Sequence, residues 1–200
     1  MRAVALVVVL LLVAVSCSGD DAPEAAPERS SSSTTSTTTA PAPQGVQVEL
    51  LSSGVVGVAG KKALSKKTTD EVLRIIELYV ERAMVDPLVL STEAKQLETL
   101  FSGTSIKTAL GQDRPLLVDE GLPQIEDRPS ARANVRLLGF RGPDGKVALV
   151  GAKVRLRVKG QTADGRTVDI VRAGELTLVP QGHWRIESYD LDVDRQVVAA

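Results

Sequence analysis

The chain has 200 residues, and its 24 basic and 25 acidic side chains give a net charge of −1. Nothing in this balance argues for nucleic-acid binding, which needs a concentrated positive footprint. One cysteine and one histidine cannot build a disulfide framework, and they supply too few ligands for a zinc site. We therefore expect no nucleic acid, no metal and no cofactor, with stability coming from apolar burial.

The first 16 residues have the layout of an export signal. Arg2 supplies a positive charge, residues 3–15 form an apolar run, and the small residue Ser16 ends the segment. A helix of these 13 residues covers about 20 Å, too short for a hydrocarbon core of about 30 Å. We therefore predict that residues 1–16 are a signal peptide that is removed.

Cys17, the only cysteine, directly follows this run. It resembles the cysteine of a bacterial lipobox in its context of Val13, Ala14, Val15 and Ser16. The resemblance implies that the Cys17 sulfur receives a diacylglyceryl group and that membrane lipid then holds the protein on the extracytoplasmic face of the cell membrane. Two acyl chains anchor a protein stably, whereas one binds marginally. The alternatives are ordinary cleavage that leaves a free thiol and an uncleaved anchor.

Residues 17–43 change abruptly to small and polar side chains. Residues 30–39 are all serine or threonine, and prolines stand at positions 23, 27, 41 and 43. Such a segment cannot bury enough apolar surface to offset the entropy lost on ordering, so it is predicted to be a disordered tether. An O-glycosylated stalk is the alternative to a plain spacer.

A helix is the clearest element of the predicted folded domain, residues 44–200. Apolar residues recur at three- and four-residue steps over residues 69–85, which predicts a helix capped by Thr68. Pro87 is expected to end it, because proline disfavours helical geometry in the preceding residue. The glycines at positions 54, 57 and 60 lack phosphate-binding spacing and indicate flexible backbone. Shorter helices are predicted over residues 92–101 and 105–110.

After Pro129 the apolar period changes to two. On the longest predicted strand, apolar residues alternate with Lys153, Arg155, Arg157 and Lys159. Turn signals divide this half of the chain into antiparallel strands. A break of parity in the last strand predicts a bulge near Glu187 or Ser188. The four strands are predicted over residues 134–141, 146–160, 167–179 and 184–193.

Helices followed by an antiparallel sheet indicate an α+β fold class. The stretches PLLVDEGLP (115–123), GELTL (174–178) and WRIESYDL (184–191) resemble uncharacterised NTF2-like lipoproteins of actinobacteria. The resemblance implies N-terminal helices packed on a curved four-stranded antiparallel meander, the NTF2-like or cystatin-like cone, with an enclosed pocket. That superfamily includes isomerases, dehydratases and non-catalytic binding modules, so the fold alone assigns no activity.

The expected function is binding without catalysis, because catalytic groups are few. His183, the only histidine, is expected in a turn, and no Ser/His/Asp or Cys/His set stands on obvious elements. A small apolar ligand or an envelope protein would be the partner. The alternative is a cofactor-independent isomerase or lyase, with Asp119 or Asp190 as base and Tyr79 as donor. The residues predicted to line the pocket are Tyr79, Leu97, Trp184 and Tyr189.

Two basic clusters are candidate binding surfaces. The loop cluster could contact anionic headgroups or anionic cell-wall polymers, to which each nearby lysine contributes about 1 kcal/mol, and the strand cluster could contact an acidic partner. A solvated loop and a solvated sheet face are the plain alternatives. The loop cluster comprises Lys61, Lys62, Lys66 and Lys67, and the strand cluster comprises Lys153, Arg155, Arg157 and Lys159.

Overall fold

The computed structural model of the protein describes residues 45–56, 62–90 and 96–199. The chain divides into two units, Met1–Thr39 and Ala40–Ala200, and every described residue belongs to the second. The predicted signal peptide, Cys17 and the predicted tether therefore lie outside the described residues, as does Lys61.

A five-stranded mixed sheet runs in the order β1-β2-β3-β4-β5. β1 pairs with β2 in parallel, and each later pair is antiparallel. Alternate residues of the later strands are buried, which is the pattern of a sheet with one dry face and one wet face. The strands are β1 (Val46–Val56), β2 (Ser130–Arg141), β3 (Val147–Gln161), β4 (Thr167–Gln181) and β5 (His183–Val198).

The predicted fold class, N-terminal helices packed on a four-stranded antiparallel meander, is wrong. β1 precedes the described helices and adds a fifth, parallel strand, so the NTF2-like cone does not describe this domain. The few helices lie between β1 and β2, where they form the crossover that a parallel pair requires. The alternation of Val46, Val48 and Leu50 stops at Leu51, because the pairing with β2 shifts between Leu50 and Ser52. That irregularity hides the strand in the sequence.

Helix α1 (Lys66–Val80) begins three residues earlier than predicted. Ser65 is its N-cap, and the Ser65 hydroxyl accepts a hydrogen bond of 3.1 Å from the Thr68 N–H. The helical path continues through a π turn (Glu81–Val85) into α2 (Asp86–Leu90), so the predicted stop at Pro87 is wrong. Pro87 is tolerated because it lies in the first turn of α2, whose N–H groups have no partner within that helix.

The remaining helices are short. The α-helix predicted over residues 92–101 is a 3₁₀ turn, Leu97–Thr99, in its described part. Helix α3 (Ile106–Leu110) confirms the third predicted helix, whereas α4 (Arg114–Leu117) was not predicted. Within the described segments, no helix is long and apolar enough to cross a bilayer.

The hydrophobic core lies between one face of the sheet and the helical segments. Val154, Leu156 and Val158 of β3 are buried, as the period of two predicts. The predicted bulge in β5 is confirmed, because Ser188 pairs with Thr177 and Ile186 pairs with Leu178, which leaves Glu187 without a partner in the ladder. The core residues of α1 are Val72, Ile75, Ile76, Tyr79 and Val80.

Candidate functional site

The outer face of the sheet, opposite the core, presents two different kinds of surface. At one end of β2 and β3, apolar side chains occupy positions with the outward parity. At the other end, most of the outward positions are occupied by basic side chains. The outward residues are Arg132, Asn134, Arg136, Leu138 and Phe140 on β2, and Leu149, Gly151, Lys153, Arg155, Arg157 and Lys159 on β3.

A trough of about 670 Å³ lies at the apolar end. Leu138 is 43% exposed and Phe140 is 37% exposed, although both are large apolar residues. Between them, Gly151 has no side chain, and a Cβ there would lie 3.9 Å from the nearest atoms, Leu138 O and Phe140 Cε2. The missing side chain thus leaves open space on the floor of the trough. Its polar border consists of Ser52, Arg136, Lys153, Glu175 and Thr177.

A second depression, of about 360 Å³, lies at the basic end, and we call it the arginine groove. One of its three arginines is neutralised, because Arg157 donates to both carboxylate oxygens of Asp169, with 2.9 Å between Nε and Oδ1. This hydrogen bonding lowers the pKa of Asp169 below its ordinary value. The groove is lined by Gln47, Val48, Glu49, Arg132, Asn134, Arg155 and Arg157.

Like charges face each other across the β2–β3 ladder. Arg132 lies directly opposite Arg157, and Arg136 lies directly opposite Lys153. Opposed like charges destabilise a sheet unless a counterion relieves them. Among the residues that the structure describes, Arg132, Arg136, Lys153 and Arg155 have no ion pair.

The two basic clusters predicted from the sequence differ in how far neighbouring carboxylates neutralise their charges. The strand cluster, Lys153 to Lys159, lies together on the outer face of β3. In the loop cluster, Lys62 is exposed, Lys66 pairs with Asp70 at 2.5 Å, and Lys67 approaches Glu71 at 4.0 Å. Helical neighbours thus neutralise part of the loop cluster, whereas the strand cluster keeps most of its charge.

The four residues predicted to line a pocket lie on the core side of the sheet. Tyr79 and Leu97 are each 1% exposed, and Tyr79 stacks edge-on with Phe101, 6.5 Å between ring centroids. Tyr189 donates a 2.7 Å hydrogen bond to Asp113 Oδ2, and burial raises the pKa of Tyr189. Of the four, Trp184 lines a cavity of about 520 Å³ beside α1, together with His183, the first residue of β5.

A buried charged cluster contains two of the groups that the isomerase alternative requires. Asp119 pairs with Arg172 at 2.8 Å and with Arg195 at 2.7 Å. The Arg172 Nη1 donates to the Tyr79 hydroxyl at 3.3 Å, and that hydroxyl donates to Leu117 O. Burial raises the pKa of Asp119, and the two guanidinium groups act against that rise.

The sequence analysis missed Arg172 and the apolar residues of the trough, although the sequence carries a signal for each. Arg172 has the inward parity of Ile170 and Leu176 on β4. Leu138 and Phe140 have the outward parity of the charged residues on β2. In a sheet with one buried and one exposed face, charged residues normally occupy the exposed positions and large apolar residues the buried ones. Arg172 and the pair Leu138 and Phe140 depart from this rule.

Comparison with protein-family models, with curated proteins and with solved structures yields no match. Within the described ranges, no group of three or more His, Cys, Asp or Glu side chains could hold a metal ion. The assignment of function therefore depends on the geometry of the outer face and on the sequence around Cys17.

Proposed function

We propose that the protein is a lipid-anchored extracytoplasmic binding protein whose trough holds a small apolar ligand without transforming it. The trough carries the proposal: about 670 Å³ is within the range of small-molecule sites, which are mostly apolar with a few polar groups. The lipobox-like context of Cys17 supports the anchor.

The charges of the trough and of the buried cluster favour binding over proton abstraction. A general base of an isomerase needs a carboxylate whose pKa is tuned in a site that substrate can reach. Glu175, the carboxylate bordering the trough, is exposed, and Asp119 is engaged by Arg172 and Arg195. Neither carboxylate combines access with an apolar surrounding.

The test uses a neutral, environment-sensitive dye, N-phenyl-1-naphthylamine, and the chain produced from residue 18, which has no acyl group. Emission should rise and shift to the blue on binding. Gly151→Val adds a branched side chain to the trough floor, where a Cβ would have no neighbour closer than 3.9 Å, and should weaken dye binding at least about tenfold.

The matched control is Ala173→Val, a comparable increase in size on the outer face of β4, outside the trough. It should leave dye binding unchanged within about twofold, and thermal unfolding should confirm that both variants fold. Absence of dye binding to the unsubstituted chain, or equal binding to Gly151→Val, overturns the proposal.

A further inference from the structure

The trough and the arginine groove occupy neighbouring rungs of one ladder. Arg136 and Lys153, which border the trough, are directly paired across β2 and β3. Asn134 is two residues from Arg136 on β2, and Arg155 is two residues from Lys153 on β3. Asn134 and Arg155 line the arginine groove and are also directly paired across the two strands. Residues two apart on a strand share a face and lie about 7 Å apart. The two depressions therefore form one amphipathic surface, apolar at one end and cationic at the other.

From this surface we propose that the ligand of the trough is an anionic single-chain amphiphile, with its anionic headgroup in the arginine groove and its chain along the trough. This inference rests on the proposed function. The distance along β2 from Asn134 to Phe140 is about 20 Å, which accommodates a headgroup and an extended chain.

Charge complementarity identifies the headgroup. Arg132 and Arg155 are exposed and diagonal to each other on the outer face, and neither has an ion pair with a described residue. Guanidinium groups bind carboxylate and phosphate oxygens through paired N–H donors, and the Asn134 amide can donate beside them. An anion there also supplies a counterion for Arg132 and Arg155, whereas Arg157 already has one in Asp169.

The concave shape favours a single amphiphile over the surface of a bilayer. Leu138 and Phe140 flank the open floor at Gly151, so the apolar area receives a chain. The carboxylates of Glu49 and Glu175 at the borders would face an anionic bilayer unfavourably. A single headgroup can instead settle between Arg132 and Arg155.

The experiment measures displacement of N-phenyl-1-naphthylamine from the chain produced from residue 18, by hexadecanoic acid and by hexadecan-1-ol at monomeric concentrations. The two have the same chain length and differ in headgroup charge. The acid should displace the dye at a concentration at least about tenfold lower than the alcohol, and salt should reduce this preference.

The double variant Arg132→Gln/Arg155→Gln should lose the preference for the acid while it keeps dye binding. Its control is Lys107→Gln/Lys146→Gln, which removes the same charge from exposed positions outside both depressions and should keep the preference. Equal displacement by acid and alcohol overturns the inference and leaves the proposed function standing. Absence of dye binding overturns both.

A vesicle assay tests whether this surface binds a lipid bilayer instead of a single amphiphile. The same chain is sedimented with phosphatidylcholine vesicles, with and without phosphatidylglycerol. Little binding to either vesicle, together with displacement by the acid, supports the single amphiphile. Binding to anionic vesicles that depends on Arg132 and Arg155, without displacement by the monomeric acid, overturns it.

Discussion

Arg172 on β4 and Asp119, two residues after α4, form an ion pair in which neither side chain has exposed area, with 2.8 Å between Nη2 and Oδ1. The same Asp119 oxygen accepts a hydrogen bond from Arg195 Nε at 2.7 Å. The guanidinium carbon of Arg172 also lies 5.8 Å from the centre of the Tyr79 ring. The cluster thus joins β4, β5 and α1 beneath the sheet, where a charge without a partner is costly.

Asp119→Ala should therefore lower the free energy of unfolding by about 3–5 kcal/mol, because it leaves the Arg172 charge buried and uncompensated. Urea unfolding followed by circular dichroism measures the change. Arg195 is 28% exposed and can turn to water, so Arg195→Gln should cost much less.

The matched control replaces both charges of the buried pair. Asp119→Leu/Arg172→Met exchanges the pair for apolar groups and should recover much of the stability that Asp119→Ala loses. A cost below about 1 kcal/mol for Asp119→Ala would show that the pair contributes no more than a surface contact.

The later strands and the main helix could be predicted because their periods of two and of three to four are regular and long. β1 escaped prediction because its alternation breaks at the shift between Leu50 and Ser52. The candidate site was predicted only in part, through Lys153, Arg155 and Arg157. The sequence shows that Arg136 and Lys153 point outward, but their direct opposition depends on register, which is set by turns and packing.

The backbones of β4 and β5 approach each other closely at Gly174, so the fold depends on a glycine at this position. Its φ is +153°, and a Cβ would lie 2.0 Å from the carbonyl oxygen of Asp190 on β5. Gly174→Ala should therefore lower the free energy of unfolding by more than about 3 kcal/mol, because two backbones would have to separate. Thermal and urea unfolding measure the loss.

Gly151→Ala is the control for Gly174→Ala, because it adds the same methyl group to a neighbouring strand. Its Cβ would have no neighbour closer than 3.9 Å. The control should be neutral or stabilising by about 0.4–1 kcal/mol, since it restricts the unfolded chain. Similar losses for the two variants would contradict the close approach of β5 to Gly174.

The Arg157–Asp169 pair predicts how stability responds to acid. Hydrogen bonds from Arg157 lower the pKa of Asp169 in the folded protein. The carboxylate therefore contributes stability above its unfolded pKa of about 3.9, and this contribution is lost as the pH falls through the lower folded pKa. Asp169→Asn should consequently show a smaller fall in Tm between about pH 5 and about pH 2.

The difference should be small, because the Arg157 side chain is 54% exposed and water screens the pair. Arg157→Gln should reduce the acid dependence in the same direction. Asp192→Asn, an exposed carboxylate with no ion pair in the described part of the chain, is the control. An unchanged acid dependence in both Asp169→Asn and Arg157→Gln would contradict the prediction.

Cys17 determines the proposed anchor, and its substitution gives a direct test. Cys17→Ala should release the protein from the membrane fraction or leave its signal uncleaved, because no thiol remains for acylation. Labelling with a fatty acid analogue, followed by mass spectrometry of the N-terminal peptide, is the measurement. An unlabelled N-terminal peptide in the natural protein would rule out the lipid anchor.

Trp184 is the only tryptophan of the chain, and its emission reports on the contact between α1 and β5. Its side chain is 6% exposed, and its Nε1 donates a 3.1 Å hydrogen bond to Glu71 Oε2. Trp184→Ala should cost about 3–5 kcal/mol, whereas Trp184→Phe keeps much of the packing and should cost less. Glu71→Gln retains an acceptor oxygen and should change stability little. Emission of the natural protein should be blue-shifted and poorly quenched by iodide, and emission as accessible as free tryptophan would contradict this burial.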